Sequence, residues 1–409
     1  MLKSLAFRPR MPLRSLIVVG MVGVLAGCGG GGGGGSDPAP APVTPDRQIQ
    51  WQTTAFTTAV APAQVRDVAD ILLSPGGRVH VAWQTWSVDP VSSLAHDFQT
   101  FISRSDDGGA SWSSVKLDNV YGPARLLRLS TGMLVAGVDV SPYLGDVPEG
   151  GGFSVWTSVD DGTTWQPRRL ALPLRNGLPA PALNEVSAMA ERNGEVVLVH
   201  GRGVMDRSAT PAEPRATVYV WNPLTETVAD WSFAYDNEGE ASATNGVAVT
   251  ADGTVFVGYN DVSSVMFRPG NATVFRSGNG VAWEELVPFT SYRGEVNDLA
   301  LLSDGMLLLN VNGGVRRSAD GRTWLAPDGV SAYGRRVHEL ASGTLFSERG
   351  YSCDWGASWQ EAASNIGEVL VQAADGTLWS TVSSNGAFGE VVKAVPPAGV
   401  AARDFVKCP

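Results

Sequence analysis

The chain has 409 residues, of which 44% are hydrophobic and 17% charged, and its acidic residues outnumber its basic ones by 41 to 30. This acidic balance, without any run of Lys or Arg, argues against nucleic acid and anionic lipid as binding partners. The 48 glycines and 13 tryptophans suit a domain of many short strands and turns.

The first 27 residues have the order of a secretory signal peptide. Four basic residues precede an apolar run over 16–26, which is too short to be a membrane-spanning helix. Leu25-Ala26-Gly27-Cys28 resembles the bacterial lipobox. The resemblance implies cleavage before Cys28 and addition of acyl chains such as palmitate, which would hold the chain at a membrane. Because Gly29 replaces the Asp that retains such lipoproteins at the inner membrane, we expect outer-membrane attachment, facing the periplasm or the cell surface.

Residues 28–47 are predicted to be a linker. Seven consecutive glycines over 29–35 are followed by a proline-rich stretch. A phosphate-binding loop would require a preceding strand and a following Lys-Ser/Thr, and the sequence has neither. A flexible tether that continues into a stiffer spacer is therefore expected, with the folded domain and a short C-terminal tail over 48–409.

A turn motif, Ser-x-Asp-x-Gly-x-Ser/Thr-Trp, recurs along this domain. Intact copies begin at Ser105, Ser158 and Ser352, and degenerate copies begin at Ser277 and Ser318. The short acidic side chain accepts backbone hydrogen bonds, the Gly permits a tight reversal, and the Trp buries apolar surface beneath the turn. We therefore assign a structural role to the Asp and Trp residues of the motif copies, namely Asp107, Trp112, Asp160, Trp165, Trp283, Asp320, Trp324, Asp354 and Trp359.

A second repeat consists of strand, tight turn and strand. It occurs seven times, with a glycine at each turn: Gly77, Gly132, Gly194, Gly253, Gly305, Gly343 and Gly376. Four-stranded antiparallel units repeated in this way are typical of a β-propeller. The sequence predicts an all-β, seven-bladed propeller, with six blades as the alternative, in which the N-terminal strand around Trp51 completes the last blade.

The cysteines and histidines give little indication of a metal. Cys353 and Cys408 remain once Cys28 is assigned to lipidation, and in an exported protein they are expected to form a disulfide that holds the tail on blade 6. Two free or buried thiols are the alternative. No Cys/His spacing suggests a metal site, and no cofactor is expected.

The turn motif is identified as the Asp box, or BNR repeat, and the region from about 48 to 395 resembles the sialidase-like superfamily of propellers. That superfamily includes sialidases, other glycoside hydrolases, sortilin-type receptors and photosystem assembly factors without catalytic activity. The resemblance therefore implies the fold, whereas an activity has to be argued from individual residues.

Sialidases bind a carboxylate through an arginine cluster and use a Tyr nucleophile with a Glu, and an Asp acid/base. Arg66 matches the Arg of the family's Arg-Ile-Pro, although Asp67-Val68 replaces Ile-Pro. Asp97 is an alternative to Asp89 as the acid/base, and Glu348 lies near the candidate Tyr. On this resemblance the catalytic candidates are Arg66, Asp89, Arg335, Arg336, Arg349 and Tyr351.

The starts of the inner strands are predicted to converge on the propeller axis. The ligand-binding candidates at these positions are Arg125, Glu185, Asn245, Glu295 and Glu368. Exposed strand starts are commonly polar, so the same pattern is also compatible with the absence of a site.

Four long loops, predicted over 84–99, 139–152, 201–215 and 260–271, would form a wall beside the axial mouth. Aromatic residues on or beside this wall that could stack on a sugar or a peptide are Trp86, Tyr143, Tyr259 and Phe267.

Two functions are compatible with these observations. The first is a lipid-anchored propeller of the cell envelope that binds a glycan or protein partner at its axial face without catalysis. The second is an exo-sialidase or related glycoside hydrolase.

Overall fold

The computed structural model describes residues 44–56, 64–89, 91, 95–120, 122–138, 154–171, 174–175, 178–179, 186–200, 204–206, 213–234, 246–260, 272–286, 296–311, 314–326, 328–329, 336–362, 367–384 and 387–408. The predicted signal peptide, Cys28 and most of the linker lie outside these residues. In the ranges above, no helix is long and apolar enough to cross a membrane. Regular structure in these same ranges consists of β-strands and two short 3-10 helices, Pro45–Gln48 and Ala402–Asp404.

The described strands form seven blades that follow one another along the chain, and their pairing is antiparallel except for the short edge strand Asp328–Gly329, which pairs parallel with the strand Ser358–Glu361 in blade 6. In chain order they are β1 (Gln52–Thr53); β2 (Gln64–Leu73), β3 (Val79–Val88), β4 (Ala95–Ser105) and β5 (Ser113–Leu117) of blade 1; β6 (Ala124–Arg128), β7 (Leu134–Val138), β8 (Val155–Ser158) and β9 (Gln166–Arg168) of blade 2; the hairpin β10 (Leu174–Arg175) and β11 (Leu178–Pro179); β12 (Val186–Arg192), β13 (Glu195–His200), β14 (Val204–Asp206), β15 (Glu213–Asn222) and β16 (Thr227–Ala234) of blade 3; β17 (Val247–Val249), β18 (Val255–Asn260), β19 (Ala272–Ser277) and β20 (Glu284–Leu286) of blade 4; β21 (Val296–Leu301), β22 (Leu307–Val311) and β23 (Gly314–Ser318) of blade 5; β24 (Asp328–Gly329), β25 (His338–Glu339), β26 (Leu345–Phe346), β27 (Gly350–Ser352) and β28 (Ser358–Glu361) of blade 6; and β29 (Leu370–Gln372), β30 (Leu378–Ser384) and β31 (Ala387–Ala394) of blade 7.

The ring is closed by the N-terminal strand. β1 pairs antiparallel with β31, with Gln52 opposite Lys393 and Thr53 opposite Val392, so it is the outer strand of blade 7. The predicted seven-bladed propeller and the closing role of the N-terminal strand are both confirmed, and the six-bladed alternative is excluded. In blade 5 a single bridge between Arg317 and Leu325 stands in place of the fourth strand.

The hydrophobic core is distributed between the blades. The described residues form seven buried clusters, and each joins two neighbouring blades. Ile102 packs with Leu134 between blades 1 and 2, and Val81 packs with Trp379 between blades 1 and 7. Because each blade has apolar residues on both faces, it is buried only when both neighbours are present.

The turn glycines of the inner hairpins adopt the backbone conformation that their sequence predicts. In blade 2 the Leu129 N–H donates to the Met133 carbonyl at 2.9 Å, and the Gly132 N–H donates to the Leu129 carbonyl at 2.8 Å. Gly132 has φ 91°, a value that an L side chain rarely adopts.

The turn motif closes the outer hairpins. The carboxylate of Asp160 accepts bonds from the Thr164 N–H at 2.9 Å and the Thr164 hydroxyl at 2.7 Å, and the Ser158 hydroxyl donates to it at 2.8 Å. These bonds, the backbone one first, lower the pKa of Asp160 to about 2. Trp165 lies beneath the turn with only 7% of its surface exposed.

Alternating strand direction places the inner and outer hairpin turns of every blade at one end of the propeller, which we call the turn face. Arg78, of an inner turn, pairs there with Asp106, of an outer turn. The loops that join the second strand to the third, and one blade to the next, lie at the opposite end, the loop face.

The predicted wall of loops is only partly described. The prediction of a loop over 84–99 was wrong, because β3 continues to Val88 and β4 begins at Ala95, so that the two strands extend as a paired ribbon. Asp97 is therefore a strand residue. Tyr259 is buried and donates its hydroxyl to the His200 carbonyl, which makes it a core residue. Tyr143 and Phe267 lie outside the described residues.

The C-terminal tail is fixed to the turn face. Cys353 and Cys408 form a disulfide, and Phe405 and Val406 are buried in the cluster between blades 6 and 7. The predicted attachment of the tail to blade 6 is thus present in the structure.

Candidate functional site

Six inner strands surround a cavity of about 320 Å³ on the propeller axis, which we call the axial channel. It is lined by Asp70, Arg125, Leu126, Ala188, Met189, Val247, Asp298, Leu299, Ala300, Arg336, Val337 and His338. Five of these residues are charged or titratable, and they come from blades 1, 2, 5 and 6. The strands β2, β6, β21 and β25, with the residues just before them, therefore bring together polar groups that are far apart in sequence.

A register shift recurs in the inner strands. It occurs between Val68 and Asp70 in blade 1 and between Val296 and Asp298 in blade 5, and blade 3 has the same irregularity after Val186. An extra residue of this kind bends the strand and redirects the next side chain. In blades 1 and 5 the redirected side chain is a carboxylate.

Both carboxylates connect their blade to the next one. Asp70 Oδ2 accepts the Leu126 N–H of blade 2 at 2.9 Å, and Asp298 Oδ2 accepts the Val337 N–H of blade 6 at 3.0 Å. Each bond satisfies a backbone donor on the axis, where an unpaired N–H would be costly. The two Asp residues thus have the same structural task in two repeats.

The two arginines of the channel are also held by protein acceptors. Arg336 Nη1 lies 3.2 Å from Asp70 Oδ1, which joins blade 6 to blade 1 past the intervening blade 7. Arg125 Nη1 donates to the Ala69 carbonyl at 2.7 Å. Partly buried pairs of this kind fix the positions of both side chains more firmly than an exposed pair would.

Burial shifts the pKa values of two groups that line the axial channel. Burial raises the pKa of Asp298 to about 7, because the charged form loses water and gains only backbone donors. Burial also lowers the pKa of His338 to about 4, with a smaller contribution from Arg336. His338 is therefore neutral at pH 7, and its Nε2 donates to the Glu368 carbonyl at 3.0 Å.

Among the sequence-predicted candidates whose side chains the structure describes, two line the axial channel, Arg125 and Arg336. Glu368 contributes its backbone carbonyl. Arg66 is part of β2, but its side chain is outside the described residues. The remaining axial candidates, also outside them, are Glu185, Asn245, Glu295 and Arg335.

Three other catalytic candidates are not among the residues that line the axial channel. Tyr351 is buried between blades 6 and 7 and donates its hydroxyl to Gln360 Oε1 at 2.7 Å. Burial raises the pKa of this phenol, the opposite of what a nucleophilic Tyr requires. Arg349 is exposed between β26 and β27. Asp89 accepts the Val91 N–H at 2.8 Å in the β3–β4 connection.

Sequence reasoning missed Asp70, Asp298 and His338. A signal for the two carboxylates was present, since Val68-Ala69-Asp70 and Val296-Asn297-Asp298 occupy the same place in two repeats. His338 carries no such pattern. Across the described ranges, no group of three or more His, Cys, Asp or Glu side chains is arranged to hold a metal ion.

A second cavity, of about 940 Å³, opens on the turn face between the inner turns of blades 1, 2, 3 and 7. Its polar groups are largely engaged. Glu191 accepts the Ser130 N–H at 2.7 Å, and Lys393 Nζ donates to the Gly108 carbonyl at 2.6 Å. The axial channel, with its perturbed acid, is the better candidate for a site.

No protein-family model matches the sequence, and no curated protein is detectably similar to it. Similar solved structures include a protein of unknown function from Dyadobacter fermentans, at 16% identity and a TM-score of 0.44, over 82% of this chain and 100% of that one. YCF48 bound to D1 peptide has 15% identity and a TM-score of 0.45, over 86% and 97%. The α-L-arabinanase of Penicillium chrysogenum, complexed with arabinobiose, has 15% identity and a TM-score of 0.45, over 85% and 98%. The propeller assignment made above depends on the strand pairing of this chain alone.

Proposed function

We propose that the chain is a non-catalytic, lipid-anchored propeller of the cell envelope that binds a glycan or protein partner at the loop-face mouth of its axis. The observation that supports the non-catalytic part is the pairing inside the axial channel. Arg336 and Arg125 are each held by acceptors of blade 1, and Asp70 and Asp298 are each bonded to the backbone of the next blade. These contacts stabilise the ring and occupy groups that catalysis would need.

The comparison with sialidase chemistry supports the same proposal. A retaining sialidase requires a Tyr nucleophile close to a carboxylate-binding arginine cluster. Among the residues that the structure describes, none that lines the axial channel is a Tyr, and Tyr351 is bonded to Gln360 in the core.

A glycoside hydrolase of the sialidase type is the second candidate. It is favoured by the convergence of Arg125 and Arg336 on one cavity together with Asp298, whose pKa of about 7 suits an acid catalyst.

Turnover of fluorogenic glycosides separates the two candidates. We expect no hydrolysis of a sialoside, an arabinofuranoside or a panel of common hexosides by the purified protein between pH 5 and 8. Hydrolysis that is lost in both Arg66→Ala and Asp298→Asn, and kept in the exposed-turn control Arg322→Ala, would overturn the non-catalytic proposal. A glycan array and pull-down from envelope extracts then test for the partner.

The lipid anchor has its own test. The wild-type chain produced in a bacterial host and fed a radiolabelled fatty acid should carry the label and sediment with membranes. Cys28→Ser should lose both properties, whereas Cys353→Ser should keep them. Unlabelled wild-type protein would contradict the lipobox interpretation.

A further inference from the structure

The outer hairpins of four consecutive blades expose large aliphatic side chains. Val159 of blade 2 is 77% exposed, Leu224 of blade 3 is 79% exposed, Val281 of blade 4 is 67% exposed, and Leu325 of blade 5 is 51% exposed. The first three lie in the turns β8–β9, β15–β16 and β19–β20, and the fourth follows the outer turn of blade 5. The first three are therefore on the turn face, and Leu325 lies next to it at the start of the outer edge of blade 5. We call these four residues the aliphatic arc.

The turns themselves do not require these side chains. In blade 2 the hydrogen bonds of the turn join Ser158, Asp160 and Thr164, and none of them involves the Val159 side chain. The same position in blade 1 is Asp106, which pairs with Arg78. Turns favour small and polar residues. The four aliphatic residues occupy different positions of their hairpins, and their shared exposure in four consecutive blades indicates contact with something apolar.

The described chain also begins on the turn face. Gln48 Nε2 donates to the Lys407 carbonyl at 2.8 Å, and the Lys407 N–H donates back to Gln48 Oε1. The carbonyl of Val406, the residue before Lys407, accepts the Thr344 hydroxyl at 3.0 Å beside the inner turn of blade 6. The chain thus enters the domain under blades 6 and 7, across the ring from blades 3 and 4.

We propose that the turn face rests on a lipid bilayer, with the aliphatic arc dipping into the interfacial region on one side of the ring and the tether entering on the other. This inference rests on the proposed anchoring at Cys28. At ~3.5 Å per residue the 15 residues 29–43 could reach about 50 Å, so the tether alone does not orient the domain. Shallow insertion of several aliphatic side chains supplies the second contact that stable, oriented anchoring needs.

The proposed orientation determines the direction in which the axial mouth points. With the turn face on the bilayer, the loop face and its axial mouth point away from the membrane. Because the chain is acidic, with 41 acidic against 30 basic residues even before a signal is removed, the contact is apolar and does not depend on anionic lipid.

Site-specific labelling tests the orientation. The chain has three cysteines. Cys353 and Cys408 are paired, and Cys28 would carry lipid, so one introduced Cys can be labelled alone with an environment-sensitive dye. The variants are Leu224→Cys and Val281→Cys on the arc. The matched control is Val91→Cys, an aliphatic residue with 93% exposure in the β3–β4 connection of the loop face.

Each labelled lipoprotein is reconstituted into phosphatidylcholine vesicles with and without a headgroup-level nitroxide lipid, and co-flotation of protein and vesicles is measured in the same samples. We expect both arc positions to be quenched at least about twofold more strongly than the control, as shallow burial predicts. Equal quenching at all three positions in protein that co-floats would overturn the orientation and leave the anchor standing, and would direct the arc to a protein partner instead. Loss of co-flotation would overturn the anchor, and the orientation with it.

Discussion

Replacing Asp298 by Asn should stabilise the propeller, and the gain should grow with pH. The Asn Oδ1 can still accept the Val337 N–H that Asp298 Oδ2 accepts at 3.0 Å. The substitution removes only the charge that burial opposes. Since burial raises the pKa of Asp298 from 3.8 to about 7, the folded chain holds the proton more tightly than the unfolded chain.

The sign of the pH dependence follows from that difference. Below pH 3.8 both states are protonated, and burial of the carboxyl has no electrostatic cost. Between pH 3.8 and 7 the unfolded state loses its proton first, so the wild-type free energy of unfolding falls as pH rises. About three pKa units at 1.36 kcal/mol each give an upper limit of about 4 kcal/mol at pH 8. Because the side chain borders the channel and is not fully enclosed by protein, we expect about 2 kcal/mol.

Guanidinium unfolding followed by Trp fluorescence at pH 4.5 and pH 8 measures this effect. The midpoint of Asp298→Asn should exceed that of the wild type clearly at pH 8 and by much less at pH 4.5. Asp304→Asn, which removes an exposed charge from the adjacent turn, should show no such pH-dependent gain. A variant that is less stable than wild type at pH 8 would show that the carboxylate is ionised and stabilised in the ring, and would refute the reasoning.

Two further predictions concern the seams between blades and the tail. Gly162→Ala should destabilise the protein by more than about 2 kcal/mol, because the new Cβ would lie 2.6 Å from His80 Cε1 at φ 81°. Gly194→Ala, with φ 83° and no atom within 4 Å of its Cβ, should cost only the backbone strain of about 1 kcal/mol, and equal losses in the two variants would contradict the steric argument. The double substitution Cys353→Ser and Cys408→Ser removes the disulfide, which spans a 55-residue separation, and should lower the free energy of unfolding by up to about 4 kcal/mol. Limited proteolysis should then release the tail first, and resistance equal to that of wild type would count against its fixing role.

Much of the fold could be predicted because each repeat depends on contacts between residues that are close together in the sequence. Gly132 needs a positive φ for reasons contained within five residues. Asp160 closes its turn on Ser158 and Thr164, all within one motif. Seven such hairpins imply seven blades. The closing strand at Gln52 could be inferred because blade 7 would otherwise lack an outer strand.

The axial site could be predicted only in part, because its geometry depends on long-range pairing. Arg336 and Asp70 are 266 residues apart, and no local pattern links them. The direction of the Asp298 side chain depends on a one-residue register shift, which hydrophobic periodicity does not reveal. Tyr351 resembled a candidate nucleophile because Glu348 is near it in sequence, yet the strand β27 directs its ring into the core.

The pairing of β1 with β31 sets the order in which the protein can be completed. Gln52 is synthesised among the first residues of the domain, and its partner Lys393 among the last. During synthesis β1 has no partner until β31 has appeared, and Cys408 follows later still. Closure of the ring therefore has to wait for β31, and a chain truncated before Ala387 would be left as an open arc in which β1 has no partner.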